Sequence, residues 1–167
     1  MKIGEFNKNS IKLINFIDLS LEEKNMVLAW RNSPEIRKWM YSQDEISLNH
    51  HLDFIESLKI NEDKLYFLVK KEEEFIGVID FTGLKTKDVY FGFYGKPNAF
   101  LGVGRVLEQI SIDFAFNVLK IDKLKLEVFE DNIQVRNLHK KYSFKEIGER
   151  VVNKKRVICM ELKDENR

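Results

Sequence analysis

Hydrophobic and polar positions along this chain change rhythm several times, and each change predicts an element. Residues 11–16, with Ile11, Leu13, Ile14 and Phe16 set around Lys12 and Asn15, read as a first strand. Ser20 followed by Glu23 forms a capping-box signature ahead of a helix carrying Leu21, Val27, Leu28, Ala29 and Trp30. Pro34 suits the first turn of a short helix bearing Ile36, Arg37, Trp39 and Met40. After Ser47, the residues Leu48, Leu52, Ile55 and Leu58 recur on one helical face.

The middle of the chain changes to strand patterning. Runs at 65–70 and 75–81 flank Lys71-Glu72-Glu73-Glu74 and predict a hairpin. A turn at 83–87 leads into a strand at 89–94, and Leu107, Ile110, Ile112, Phe114, Ala115 and Val118 mark a helix broad enough to pack on a sheet. A strand at 124–129, a helix through Leu138 and Tyr142, a strand at 144–150, a turn at Asn153-Lys154-Lys155 and a strand at 157–162 complete the order. Strands and helices in this mixed order predict an α+β fold. With 167 residues and no repeat or linker, residues 1–167 are expected to form a single domain.

Composition narrows the classes of function. The chain is 44% hydrophobic and 33% charged, which excludes a disordered protein, and its net charge of +1 gives no reason to expect nucleic acid or a membrane surface. Thirteen Phe residues predict a core rich in rings. The single Cys159 allows no internal disulfide and is expected in a core strand; no Cys/His spacing suggests a metal site. The first residues hold no long apolar segment, so neither a signal peptide nor a membrane span is expected, and the cytoplasm is the expected compartment.

Chemistry concentrates where an aromatic run, Tyr90-Phe91-Gly92-Phe93-Tyr94-Gly95, passes through Lys96-Pro97 into Leu101-Gly102-Val103-Gly104-Arg105-Val106 and a helix. A Gly-x-Gly turn opening a helix leaves backbone N–H groups uncovered, and such groups bind a pyrophosphate; a ligand-free tight connection has the same signature. Further on, the strand Leu124-Lys125-Leu126-Glu127-Val128-Phe129 runs into Glu130-Asp131-Asn132, a helix with His139 and Tyr142, and Ser143-Phe144.

This succession resembles the GNAT acetyltransferases, whose donor loop reads Gln/Arg-x-x-Gly-x-Gly/Ala. Gly104 takes the central glycine and Asn132 the family's asparagine, while Leu101, Val106, His139 and Ser143 depart from the pattern. The resemblance covers nearly the whole chain. It implies a mixed, mostly antiparallel sheet of about seven strands, splayed in the middle and flanked by helices. It also implies acetyl-CoA as co-substrate, held by Phe93, Tyr94, residues 101–106 (Leu101, Gly102, Val103, Gly104, Arg105 and Val106), Asn132, His139 and Tyr142. Backbone N–H groups near Phe93 and Tyr94 would stabilise the thioester oxygen.

His139 stands at the family's general-acid tyrosine, with Tyr142 or Tyr94 as alternatives for that role; an imidazole of ordinary pKa, roughly 6.5, suits protonation of a thiolate. No carboxylate lies within residues 90–94, where many members place a base. His50, Glu127 or water would then serve the amine, and His51 leans toward the apolar face of its helix. Trp30, Arg31, Asn32, Tyr41 and His50 form the expected acceptor region, Trp30 having a core reading as well.

The Trp-Arg-Asn segment is similar to that of nucleotide-aminosugar N-acetyltransferases and of ribosomal-protein acetyltransferases. The first likeness implies acetylation of the 4-amino group of a UDP-linked 4-amino-4,6-dideoxy-N-acetyl sugar, in pseudaminic acid biosynthesis for flagellin glycosylation. The second implies a protein N-terminus as acceptor, and the departures in the loop also admit a non-catalytic acyl-CoA-binding module. A small-molecule acceptor and a monomer or homodimer are the expected partners.

Overall fold

A computed structural model describes all residues, Met1–Arg167. One eight-stranded sheet organises the chain, in the order β1-β2-β3-β4-β5-β6-β8-β7. The strands are β1 (Phe6–Lys8), β2 (Ile11–Asn15), β3 (Lys64–Lys71), β4 (Glu74–Thr82), β5 (Val89–Gly95), β6 (Lys123–Phe129), β7 (Lys145–Val152) and β8 (Lys155–Lys163). The helices are α1 (Leu21–Asn32), α2 (Pro34–Arg37), α3 (Leu48–Ser57), α4 (Val103–Asp113) and α5 (Ile133–Lys141). Every neighbouring pair of strands is antiparallel except β5 and β6, which run parallel. The count exceeds the expected seven by β1, a three-residue strand too short to show a period.

Local chemistry explains the boundaries. Ser20 Oγ accepts from the Glu23 N–H at 3.1 Å and Glu23 Oε1 accepts from the Ser20 N–H at 2.9 Å, closing the capping box of α1. Pro34 sits in the first turn of α2, and Ser47 caps α3 through the His50 N–H. Asn153 and Lys154 both hold positive φ, 49° and 67°, which suits the tight hairpin between β7 and β8. α4 does not end as one regular helix; Phe114–Val118 continues it as a π-helical turn.

The sheet separates two apolar layers. The larger lies under α4 and α5 and includes Phe67, Phe81, Phe91, Leu107, Phe114, Leu124 and Leu126. Phe114 lies against Phe6, Phe67 and Phe81 at ring distances of 5.0–5.4 Å, so the Phe-rich composition does become a core. The smaller layer joins Phe16, Val27, Ile55, Leu58, Leu68 and Val78 beneath α1 and α3.

The feature that positions the site is a break in the sheet. β5 and β6 pair only at Val89↔Leu124 and Tyr90↔Lys125, whereas β4 and β5 stay paired as far as Gly77↔Gly95. Beyond Tyr90, β5 therefore parts from β6, leaving one backbone edge without a ladder partner. The expected splay is present at this break.

Candidate active site

On the α4–α5 face, the turn before α4 presents a bare helix N-terminus. Gly102 adopts φ 93° as the N-cap, and no atom lies within 4 Å of where its Cβ would be. No backbone acceptor takes the N–H of Gly102 or Gly104. Leu101 is fully exposed and Arg105 is exposed beside the turn, whereas Val103 and Val106 turn inward onto the larger core. The combination of free N–H groups, a positive helix end and an adjacent guanidinium suits a diphosphate. Gly95 lets this turn sit close to β5, since a Cβ there would lie 2.9 Å from Val103 Cγ1.

His139 is 5% exposed and packs edge-on against Phe91, Phe93 and Phe144. Its Nδ1 lies 2.8 Å from Oε1 of Glu108, a wholly buried carboxyl on α4 whose Oε2 has no partner. A carboxylate facing Nδ1 fixes the ring orientation and leaves Nε2 as the nitrogen free to exchange a proton. Glu108 was not expected at this site. The available signal was its place beside Leu107 and Ile110, an acidic residue amid the apolar positions of α4.

Two other residues on this side differ in their surroundings. Asn132 is the N-cap of α5 at the end of β6, and its side chain makes no capping bond. Tyr142 instead shares a cavity of about 300 Å³ with Ile112, Asp113 and Arg167. Ile112 is eight residues along α4 from Gly104, so Tyr142 is removed from the turn by about 12 Å of helix. Its ring packs on the larger core.

The opposite face carries the acceptor-side candidates. By strand alternation Glu127 points away from Leu126 and Val128, both in the larger core. Its carboxylate accepts from Tyr41 Oη at 2.9 Å, from Arg150 Nη2 at 2.7 Å and Nε at 2.5 Å, and from Cys159 Sγ at 3.4 Å. Arg150 foremost holds the Glu127 carboxyl below the usual carboxylate range, so a proton-accepting role for Glu127 does not fit these donors. Tyr41 spans the cleft, with its ring 5.6 Å from Phe129 and its carbonyl accepting from Asn153 Nδ2. Burial foremost pushes the Tyr41 hydroxyl up. Cys159 lies half-buried on this face rather than in the core, because alternation along β8 gives the inner positions to Ile158 and Met160.

Arg31 is half-buried; Nη2 donates to the Ser42 carbonyl at 3.2 Å, while Nη1 is buried without a partner. Tyr66 and Tyr94 are near it, and burial lowers its guanidinium pKa. Trp30 packs half-buried on the smaller core, and the Tyr94 side chain lies on this same face, away from His139. His50 is exposed at the start of α3, whereas His51 is buried against the Lys24 carbonyl at 2.8 Å, and burial lowers its pKa.

Asn32 closes its amide on Ile46, donating to the carbonyl at 2.9 Å and accepting from the N–H at 2.8 Å. It ties α1 to the loop ahead of α3, a structural role in addition to the recognition role expected of it. Replacing it with Ala strands both backbone groups, and Asn32→Ala is expected to lower unfolding free energy by about 1–3 kcal/mol in denaturant titration.

Asp80 on β4 also faces this side, and no sequence motif marks it. The available signal was a lone Asp breaking the apolar run Ile76-Gly77-Val78-Ile79-Asp80-Phe81.

A splayed mixed sheet with a bare helix N-terminus on one side and a polar cleft on the other defines a GNAT acetyltransferase, and the chain belongs to that family: residues 14–145 match the Acetyltransferase (GNAT) domain. Within it, the chain is similar to acetyltransferase PseH of Campylobacter jejuni, 41% identical over 134 residues, which are 80% of this chain and 84% of that one. The crystal structure of C. jejuni N-acetyltransferase PseH in complex with acetyl coenzyme A superposes with TM-score 0.75 and 34% identity, over 92% of this chain and 99% of that one. Spermidine N-acetyltransferase from Vibrio cholerae, in complex with CoA and spermine, gives TM-score 0.83 over 95% and 98% of the two chains; at 16% identity this is a likeness of fold alone. The chain is an N-acetyltransferase.

Proposed function

We propose that this enzyme transfers an acetyl group from acetyl-CoA to the 4-amino group of a UDP-linked 4-amino-4,6-dideoxy-N-acetyl sugar, a step of pseudaminic acid biosynthesis in the cytoplasm. The observation that carries the reading is the identity to PseH across most of both chains. Acetyl-CoA supplies an activated acyl group with a thiolate leaving group. Gly102, Gly104 and Arg105 fit its diphosphate, and the unpaired edge of β5 at Phe93 and Tyr94 offers backbone groups to the arm and to the carbonyl oxygen. His139 serves as general acid from Nε2, with Glu108 as the positioning residue behind Nδ1. On the other face, the unpartnered Arg31 N–H, Tyr41 and the exposed His50 receive the sugar nucleotide.

Free CoA measured with acetyl-CoA and either the UDP-aminosugar or a peptide tests this directly. The sugar is expected to be turned over and the peptide not; the reverse preference would assign the enzyme to protein N-termini, and no CoA release with either would leave a binding module. Arg31→Ala is expected to raise the acceptor KM roughly 10- to 100-fold, the worth of one charged hydrogen bond. The variant should keep acetyl-CoA affinity, because the donor turn lies on the other face of the sheet.

A further inference from the structure

Acetyl transfer needs the amine neutral, and the sequence supplies no carboxylate on β5. Glu127 is saturated with donors and His50 stands exposed on α3. One carboxylate at the cleft takes part in neither a hydrogen bond nor an ion pair with another residue. It is Asp80, in the middle of β4, opposite Tyr66 of β3 and Gly92 of β5. By alternation it shares its face with Val78 of the smaller core, which is the acceptor side.

Space for this carboxylate depends on Gly92. A Cβ at Gly92 would lie 3.0 Å from Asp80 Oδ2, so a side chain on β5 would crowd the carboxylate where it now stands. Gly92 is two residues past Tyr90↔Lys125, the last rung joining β5 to β6, so Asp80 borders the mouth of the splay. It remains part-exposed there. The charged or titratable groups around it are Lys64 and Tyr66 from β3, Tyr94 from β5 and, beyond Tyr94, Arg31 from α1.

We propose that Asp80 is the proton acceptor for the acceptor amine. The assignment rests on the acetyl-transfer reading but not on the identity of the sugar. Asp80 takes one proton from the substrate ammonium. The freed lone pair forms the C–N bond to the acetyl carbon, and the C–S bond breaks with its electron pair on sulfur. The thiolate takes a proton from His139. The nitrogen's second excess proton passes to water and thence back to the imidazole, and Asp80 returns its own proton to solvent, so that one proton is released per turnover. Burial pushes the Asp80 carboxyl up to about 7, with Lys64 opposing more weakly. A base of that strength accepts a proton effectively at neutral pH.

The sign follows from the required ionisation. Asp80 must be a carboxylate, so it should give kcat/KM an acidic limb that falls as pH drops through about 7. The test compares Asp80→Asn with wild type on a panel of amines comprising the UDP-aminosugar, a peptide N-terminus and spermidine, with acetyl-CoA affinity measured alongside. On whichever amine the wild type acetylates, Asp80→Asn should lose roughly 10²–10⁴-fold in kcat and lose the acidic limb near neutrality, with donor affinity unchanged.

Gly92→Ala keeps the carboxylate but displaces it, and should lose kcat in the same direction; it also supplies the test should Asp80→Asn fail to fold. Turnover of a different amine would overturn the sugar and still test Asp80. A wild-type kcat and acidic limb in both variants, or in Gly92→Ala alone should Asp80→Asn not fold, would overturn the proposal. The absence of turnover on any amine would overturn it together with the acetyl-transfer reading.

Discussion

Gly104→Val is expected to weaken acetyl-CoA binding by roughly 10²-fold or more, about 3 kcal/mol, the worth of one or two charge-assisted hydrogen bonds from free N–H groups. Two effects combine at this residue. A branched side chain covers the N–H cradle, and any Cβ there lies 3.1 Å from Leu138 Cδ2, pressing α4 against α5. The second effect is separable, because Leu138→Ala opens that contact. Calorimetric titration with CoA is expected to show the loss in Gly104→Val and again in Gly104→Val/Leu138→Ala. Restored affinity in the double variant would mean that helix packing caused the loss, and unchanged affinity in a folded Gly104→Val would remove the diphosphate from this turn.

His139→Phe is expected to lower kcat within the roughly 10²–10⁴-fold range of acid–base catalysis, with acetyl-CoA affinity close to wild type. The ring's place among Phe91, Phe93 and Phe144 accepts a phenyl group, so packing is kept. Its partner is the difficulty. Removing the imidazole leaves the Glu108 carboxyl wholly buried with neither oxygen bonded, a costly arrangement. Pairing the substitution with Glu108→Gln neutralises that group, so a kcat deficit surviving in Glu108→Gln/His139→Phe reports the lost acid rather than a stranded charge. A wild-type rate in the double variant would return the role to a tyrosine or water.

Much of the architecture was legible because local rules set it. The Ser20–Glu23 box, Pro34, the Ser47 cap and the hairpin turns each act within four residues of sequence, and each element they predict is found. The Gly102–Gly104 turn was likewise readable from spacing. What escaped the sequence is non-local. The pairing of Glu108 with His139 joins residues 31 apart, and the closure of Asn32 on Ile46 joins residues 14 apart. Asn32 looked like a recognition residue alone because a free amide and one holding a loop share the same letter.

Glu127 looked like a base for a similar reason. Its four donors come from three distant segments, at Tyr41, Arg150 and Cys159. Asp80 escaped because its environment is made by the neighbouring strands, above all by the room left at Gly92.

The product's regiochemistry tests the central claim most directly. The enzyme is incubated with carbonyl-labelled acetyl-CoA and the UDP-linked 4-amino-4,6-dideoxy sugar, and the acetylated sugar is examined by long-range proton–carbon NMR correlation. The account predicts one new acetamide, its labelled carbonyl correlating with the proton on the sugar's fourth carbon. Label on a hydroxyl, on a peptide amine supplied in competition, or on no acceptor at all would contradict it.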